Sequence, residues 1–339
     1  MEVTTRPTTY QGGFFVSGHE TDQSYILNLP LTDESVQSTE PARLSDLSER
    51  DRVWDEHRAN SDKIANHYKG TEFDDYAKRI HFCSELLDFK LTPDVEEGVL
   101  KLKLSSAKFC RVRHCCVCQW RRSMMWKAKA YKIIPRVVKD FPKHRWLFLT
   151  LTVKNCPVTE LRENLKSMNK AFQRLTQLKI FPADGWIKSV EVTHGKDGKA
   201  HPHFHCLLMV PAGYFGASYI SQQKWVELWK QCARLDYLPR CHIKAIHKKH
   251  NPTKIVPEIL KYQVKESDMI YNREFFLELT RQLHNTKTVA VGGVLRRYLK
   301  ALEQEPEDLV GKNSEEDSVD EGHLYFEWHR QKKNYFETS

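Results

Sequence analysis

The run His201-Pro202-His203-Phe204-His205 places two imidazoles, those of His203 and His205, two residues apart at the head of an apolar stretch that continues to Val210. In a β-strand, residues i and i+2 face the same side, so this spacing aims both rings at one point. A second strand-like run, Trp186 to Thr193, precedes it, and the intervening His194 to Ala200 carries Gly195 and Gly198, the composition of a hairpin loop. If the hairpin is centred on Asp197 or Gly198, Glu191 comes opposite His203 or His205. Two imidazoles and one carboxylate with open positions suit a divalent cation, Mn2+ or Mg2+ as well as softer metals, able to grip a phosphate oxygen. His201 could replace one ligand, although Pro202 bends the strand there.

A second set is Glu258, Tyr262 and Lys265, at i, i+4 and i+7. On a helix starting at Pro257 and ending near Asp268 they share one face, with Ile259, Leu260 and Val264 left for the core. A tyrosine hydroxyl titrates near pH ~10, so as a nucleophile it needs a nearby cation or base. Its phosphate ester keeps the energy of a broken phosphodiester, which suits strand transfer better than hydrolysis. Tyr271, off that helical face, is not expected to be a second nucleophile.

Third, Cys110, Cys115 and Cys118 form C-x4-C-x2-C within Phe109 to Arg122. Closely spaced thiolates hold structural zinc, which takes four ligands; Cys83, His81, His114 or Cys116 could complete the set. A zinc knuckle there would present Arg111, Arg113, Arg121 and Arg122 to a polyanion.

These groups need elements to position them. Gln119 to Ile134 has Trp120, Met124, Ala128 and Tyr131 at helical spacing, with Lys127 and other bases elsewhere around the helix, and Pro135 is expected to interrupt it. Arg145 to Val153 reads as a buried strand, followed by a helix with Leu161, Leu165, Met168, Phe172 and Leu175 on one face. After the hairpin, Ser221 can cap another helix, and Cys241 to His247 is a fourth strand. The order β-α-β-β-α-β-α predicts an α+β fold of split-βαβ type: a central antiparallel sheet, helices on one face and the other face open for a site.

The chain has 339 residues, 40% hydrophobic, enough for a sizeable core. No stretch is long and apolar enough for a membrane helix, and the first residues lack the pattern of an export signal, so a cytoplasmic protein without membrane contact is expected. Nine cysteines in a reducing compartment favour metal or free thiols over disulfides. The net charge of +9 is uneven: residues 101–150 hold fourteen Lys and Arg against one acid, and residues 301–321 nine acids against one Lys. A basic block interleaved with Trp120, Trp126, Tyr131 and Trp146 suits single-stranded nucleic acid, through phosphate neutralisation and base stacking. Composition divides the chain into a flexible arm (1–60), a Cys-rich basic module (61–140), a catalytic domain (141–300), and an acidic tail with a short aromatic end (301–339).

In order and spacing, Cys110 to Arg122, Phe148 to Val153, Glu191 to Leu208 and Glu258 to Lys265 resemble the one-tyrosine replication initiators of rolling-circle plasmids, in the HUH endonuclease superfamily. The resemblance spans roughly residues 80–270. Cys116 stands where that pattern has proline. The resemblance implies an HUH core in which His203 and His205, with Glu191, hold the metal. Tyr262 would attack a single-stranded or cruciform origin to give a 5′-phosphotyrosine and a free 3′-hydroxyl, and Glu258 would activate water at termination. Host helicase and polymerase would be partners, since the chain has no G-x4-G-K-[ST] phosphate loop. A mobilisation relaxase or transposase would share this chemistry; a zinc-dependent DNA-binding regulator would use the basic block without it.

Overall fold

The computed structural model describes residues 40–94, 99–246, 251–302 and 322–338. In chain order the helices are α1 (Leu44–Leu47), α2 (Val53–Tyr68), α3 (Asp74–His81), α4 (Cys116–Asp140), α5 (Leu161–Gln177), α6 (Gln222–Ala233), α7 (Val256–Ile259), α8 (Glu266–Tyr271), α9 (Arg273–Leu283) and α10 (Val294–Leu302). The strands are β1 (Leu86–Asp94), β2 (Val99–Ala107), β3 (Arg145–Thr152), β4 (Gly185–His194), β5 (Ala200–Val210), β6 (Cys241–Ile246), β7 (Val289–Gly293), β8 (His323–His329) and β9 (Asn334–Thr338). The fold is mixed α+β around a central antiparallel sheet of order β6-β3-β5-β4-β7, and β2-β1-β8-β9 forms a second antiparallel sheet.

Strand β5 organises the core because it is apolar on both faces past His205. Phe204, Cys206 and Leu208 face α5 and α6 and pack with Leu165, Phe172, Trp225 and Trp229. Leu207 and Met209 face the other way, onto Ile133, Ile134 and Val137 of α4, Ile259 of α7 and Leu295 of α10. Helices thus cover both faces, correcting the expectation of one bare face. On the second face the apolar cover gives way at His203 and His205, which share the side of Leu207 by strand alternation. The hairpin pairs Glu191 with His203 and therefore centres on Asp197, and Gly198 supplies the left-handed φ of 75° in its loop.

Helix α4 runs through Pro135 without interruption. Ala130, Ile133, Ile134 and Val137 on both sides of the proline pack against the sheet, and this burial outweighs the one lost backbone hydrogen bond. The buried face is not the predicted one. Trp120 is buried, but Met124 and Tyr131 are exposed by 43% and 44%, because the helix turns Ser123 and Ala130 inward instead.

The helix expected over 257–268 is also broken: α7 ends at Ile259 and α8 begins at Glu266. The carbonyls between them are satisfied from outside. Ser189 Oγ donates to Ile259, Ser123 Oγ to Leu260 (2.6 Å), the Val192 amide to Gln263 (2.8 Å) and Gln119 Nε2 to Val264 (3.1 Å). With those acceptors occupied, helical i to i+4 pairing has nothing to gain. Residues 260–265 instead lie along the end of β4 beyond β7, and Glu258, Tyr262 and Lys265 share no helical face.

The ends of the described chain pack inward. Helix α2 crosses position 60, where the sequence put the edge of an arm, and buries Trp54, Arg58, Ile64 and Tyr68. The aromatic end pairs as β8 and β9 against β1 and buries Phe326, Trp328 and Tyr335. The proposed arm up to residue 39 and the acidic stretch 303–321 lie outside the described residues. Among the described residues, no helix is long and apolar enough to cross a membrane.

Candidate metal centre and tyrosine

Glu191, His203 and His205 converge across the β4–β5 pair. Glu191 Oε2 lies 2.9 Å from His203 Nε2 and 2.7 Å from His205 Nε2. Glu191 and His205 are buried, and the His205 ring stacks on Phe148, with centroids 5.6 Å apart and planes at 9°. Burial would raise the Glu191 carboxyl, but hydrogen bonds from His203 and His205, then the charges of His203 and Lys261, hold it well below the usual carboxylate range.

The three ligand atoms fit a divalent cation. Ligand atoms at about 2.1 Å from an octahedral ion are roughly 3 Å apart when adjacent, close to the separations seen here. The hydrogen-bond balance agrees. His203 Nδ1 faces the His201 carbonyl at 3.3 Å while Nε2 faces a carboxylate, so a neutral ring has two acceptors for one proton, and a cation at Nε2 resolves the conflict. His201 turns away, its Nδ1 bonded to Asn155 Oδ1 at 2.6 Å.

Lys261, which the sequence reading passed over, reaches this cluster: its Nζ is 3.5 Å from Glu191 Oε2 and 2.8 Å from Glu258 Oε1. Lys265 is the exposed N-cap of α8. Lys261 sits in the non-helical stretch after Ile259, beside Glu191. Tyr262 is half-buried, with its hydroxyl 3.3 Å from His57 Nε2. His57, on α2, carried no signal in the sequence beyond being one more histidine. Tyr271 is 80% exposed.

Cys83, Cys110, Cys115 and Cys118 meet where the turn after α3, the end of β2 and the start of α4 come together, with all four sulfurs within 4.8 Å of one another. Cys83–Cys118, Cys110–Cys118 and Cys83–Cys115 are each 3.6 Å apart, near the roughly 3.8 Å edge of a tetrahedron of Zn–S bonds of about 2.3 Å. The Cys110 and Arg111 amides donate to Cys83 and Cys118 sulfurs at 3.4 and 3.3 Å, which favours thiolates. Of the other candidates, His114 is fully buried with both ring nitrogens unpartnered and packs on Phe276, His81 is exposed, and Cys116 lies outside the four.

Beside Tyr262 a cavity of about 300 Å3 is lined by Arg79, Arg111, Arg113, Arg122, Lys261 and Trp126, and no carboxylate is among its lining residues. Burial, with Arg122 and Arg162 nearby, pulls the Arg113 guanidinium down to about 10. It is anchored on Gln263 Oε1 at 2.7 Å and on the Thr286 carbonyl. Arg121 and Lys127 do not line the cavity; Arg121 lies over the Trp54 and Trp120 rings, and burial lowers the Lys127 ammonium.

A profile of a replication protein family matches residues 101–336. The chain belongs to this family of plasmid rolling-circle replication initiators. It is 32% identical over 300 residues to a Rep protein of Streptococcus pneumoniae serotype 2, covering 85% of this chain and 92% of the relative. A Rep protein of Lentilactobacillus hilgardii is 31% identical over 314 residues, covering 86% and 98%. A replication protein of Staphylococcus aureus is 31% identical over 227 residues, covering 61% and 97%. Comparison with solved structures gave no match. The initiator's profile match takes in β8 and the first part of β9 as well as the central sheet.

Proposed function

We propose that this initiator is an HUH-type endonuclease that nicks one strand of its origin DNA and joins itself to the 5′ end through Tyr262. The observation that carries the reading is the convergence of Glu191, His203 and His205 on one point of the central sheet. It lies next to the β4-edge segment that bears Tyr262 and Lys261.

Glu191, His203 and His205 would hold Mn2+ or Mg2+. When bound, the ion polarises a phosphate oxygen and steadies charge on the leaving oxygen. Tyr262 Oη attacks phosphorus, the P–O3′ bond breaks, and the products are a 5′-phosphotyrosine and a 3′-hydroxyl that a host polymerase extends. Lys261, rather than Lys265, supplies positive charge beside the phosphate and keeps Glu258 oriented by their ion pair, and Glu258 activates water when the cycle closes. The cavity with Arg111, Arg113, Arg122 and Trp126 supports a path for unpaired DNA leading to Tyr262, by phosphate neutralisation and stacking. Cys83, Cys110, Cys115 and Cys118 would hold a structural Zn2+ that ties β1, β2 and α4 together and so positions that path. Strand separation falls to a host helicase.

Incubation with single-stranded origin DNA and Mn2+ followed by denaturing electrophoresis tests the reading. Wild type yields a covalent adduct and Tyr262→Phe yields none while binding DNA with unchanged Kd. DNA binding without any adduct from the wild type, with either metal, contradicts it.

A further inference from the structure

Among the described residues, no cation stands within hydrogen-bond distance of the Tyr262 hydroxyl. Burial first, then the charges of Glu266, Cys116 and Glu56, push its pKa above the ordinary tyrosine value, so at neutral pH the group is a protonated phenol. A nucleophile in that state needs a base at hydrogen-bond distance. The hydroxyl meets His57 Nε2 at 3.3 Å, and on the far side of the ring His57 Nδ1 meets Glu266 Oε1 at 2.6 Å. Asn60 Nδ2 donates to the other Glu266 oxygen at 2.7 Å. A carboxylate only accepts, so Nδ1 carries the ring proton and Nε2 turns its lone pair to the Tyr262 O–H. The ring is fixed between neighbours: Trp120 lies 4.9 Å away at 30°, and the Tyr262 ring stands edge-on at 5.9 Å and 86°. His57 is only 5% exposed, which excludes competing water.

We propose that His57 is the general base for Tyr262, with Glu266 the residue that positions and charges it, a device assembled from α2, the broken-helix segment and α8. This rests on the reading of Tyr262 as the nucleophile. As Oη bonds to phosphorus its proton passes to His57 Nε2, the P–O3′ bond breaks, and the 3′ oxygen leaves with the electron pair and takes a proton from solvent. The imidazolium formed is held against the Glu266 carboxylate. When a 3′-hydroxyl attacks the phosphotyrosine in rejoining, it gives its proton to solvent as the P–O3′ bond forms, the P–Oη bond breaks, and Nε2 returns its proton to the departing tyrosine oxygen. Nothing outside the chain, the DNA and water is consumed.

The titratable and charged groups around the pair among the described residues are Glu266 from α8, Glu56 from α2 and Cys116 from α4, with the Arg121 guanidinium against the Trp120 ring. The test is single-turnover nicking of a single-stranded oligonucleotide from the replicon's own origin, with Mn2+ and the full chain, followed against pH. His57→Gln keeps a hydrogen-bond acceptor for Tyr262 but cannot take its proton. Its rate is expected to fall roughly 100- to 1,000-fold with the DNA Kd unchanged, and the acid limb of the wild-type profile should give way to a steady rise with pH. A wild-type rate and profile for His57→Gln overturns the proposal. If circular dichroism shows that variant unfolded, Glu266→Gln decides. Loss of the carboxylate removes the charge that steadies the imidazolium, so the acid limb should move to lower pH and the rate fall by about tenfold; an unmoved limb overturns the proposal. Tyr262→Phe runs alongside. An adduct from Tyr262→Phe refutes the nucleophile reading itself, whereas an inactive Tyr262→Phe beside a fully active His57→Gln refutes the base alone.

Discussion

Lys261 Nζ lies 3.5 Å from Glu191 Oε2, in a stretch where the chain has left helical geometry after Ile259 and follows the edge of β4. Lys261 faces the carboxylate-imidazole cluster and Tyr262 turns to His57, while Lys265 is the exposed cap of α8. The two lysines are therefore expected to differ in what they contribute to the chemistry.

Lys261→Met is expected to slow Mn2+-dependent nicking by roughly 10- to 100-fold, the worth of one charge-assisted contact of about 1.5–3 kcal/mol. Lys265→Met should change it by less than about twofold, since Lys265 is an exposed cap residue. Single-turnover rates at saturating DNA compare the two directly. Equal losses, or a larger loss at Lys265, would contradict the assignment of the phosphate-side charge to Lys261.

Removing an imidazole should show in metal affinity before any chemistry is measured. His203→Ala is expected to weaken Mn2+ binding about 100-fold or more, near 3 kcal/mol, read by calorimetry or by the paramagnetic resonance of free Mn2+. His201→Ala should stay within about twofold, because its ring is committed to Asn155. Comparable losses at both positions would place His201 among the ligands.

Purified protein is expected to carry one equivalent of zinc by elemental analysis. Cys83→Ser should lose it together with about 3 kcal/mol or more of stability, while Cys116→Ser, outside the four-sulfur cluster, should retain it. Zinc retained by Cys83→Ser would remove Cys83 from the set.

Lys188 gives a pH prediction away from the site. Its ammonium is buried against the Phe204 ring at 3.9 Å with Asn169 as hydrogen-bond partner, and burial pushes its pKa down to about 8. An unfolded lysine titrates near ~10.4, so between pH ~8 and ~10.4 the unfolded chain binds a proton that the folded one has released, and stability attributable to this residue rises with pH. Below that window the cost of a buried charge is fully present. Lys188→Met should raise stability at pH 7 by on the order of 1–3 kcal/mol, read as a higher thermal midpoint, and this advantage should shrink as pH approaches 10. An advantage independent of pH would show that packing, not charge, is responsible.

The sequence carried the local parts of this architecture well and the non-local parts poorly. The hairpin that pairs Glu191 with His203 was legible because its loop chemistry and strand alternation are encoded within twenty residues. Cys110, Cys115 and Cys118 were legible from spacing, but Cys83 was one of several candidates, since only the path from α3 through β1 and β2 brings it back to them. The break between α7 and α8 was hidden. Glu258 to Lys265 has good helical periodicity, and the competitors for its carbonyls, Ser123, Ser189, Gln119 and Val192, lie far away in sequence. Pro135 misled in the other direction, its penalty being outweighed by the packing of Ile133, Ile134 and Val137. His57, Trp328 and Tyr335 lie at the two ends of the chain, where no pattern linked them to the central sheet.

The central claim is that Tyr262 becomes covalently attached to DNA. Wild-type protein incubated with Mn2+ and single-stranded origin DNA, digested with nuclease and protease and analysed by mass spectrometry, should yield one nucleotide-bearing peptide, modified at Tyr262 and absent when chelator is added or His203 is replaced by Ala. A modified peptide centred on Tyr271 or any other residue, or an adduct that persists in chelator, would contradict the account.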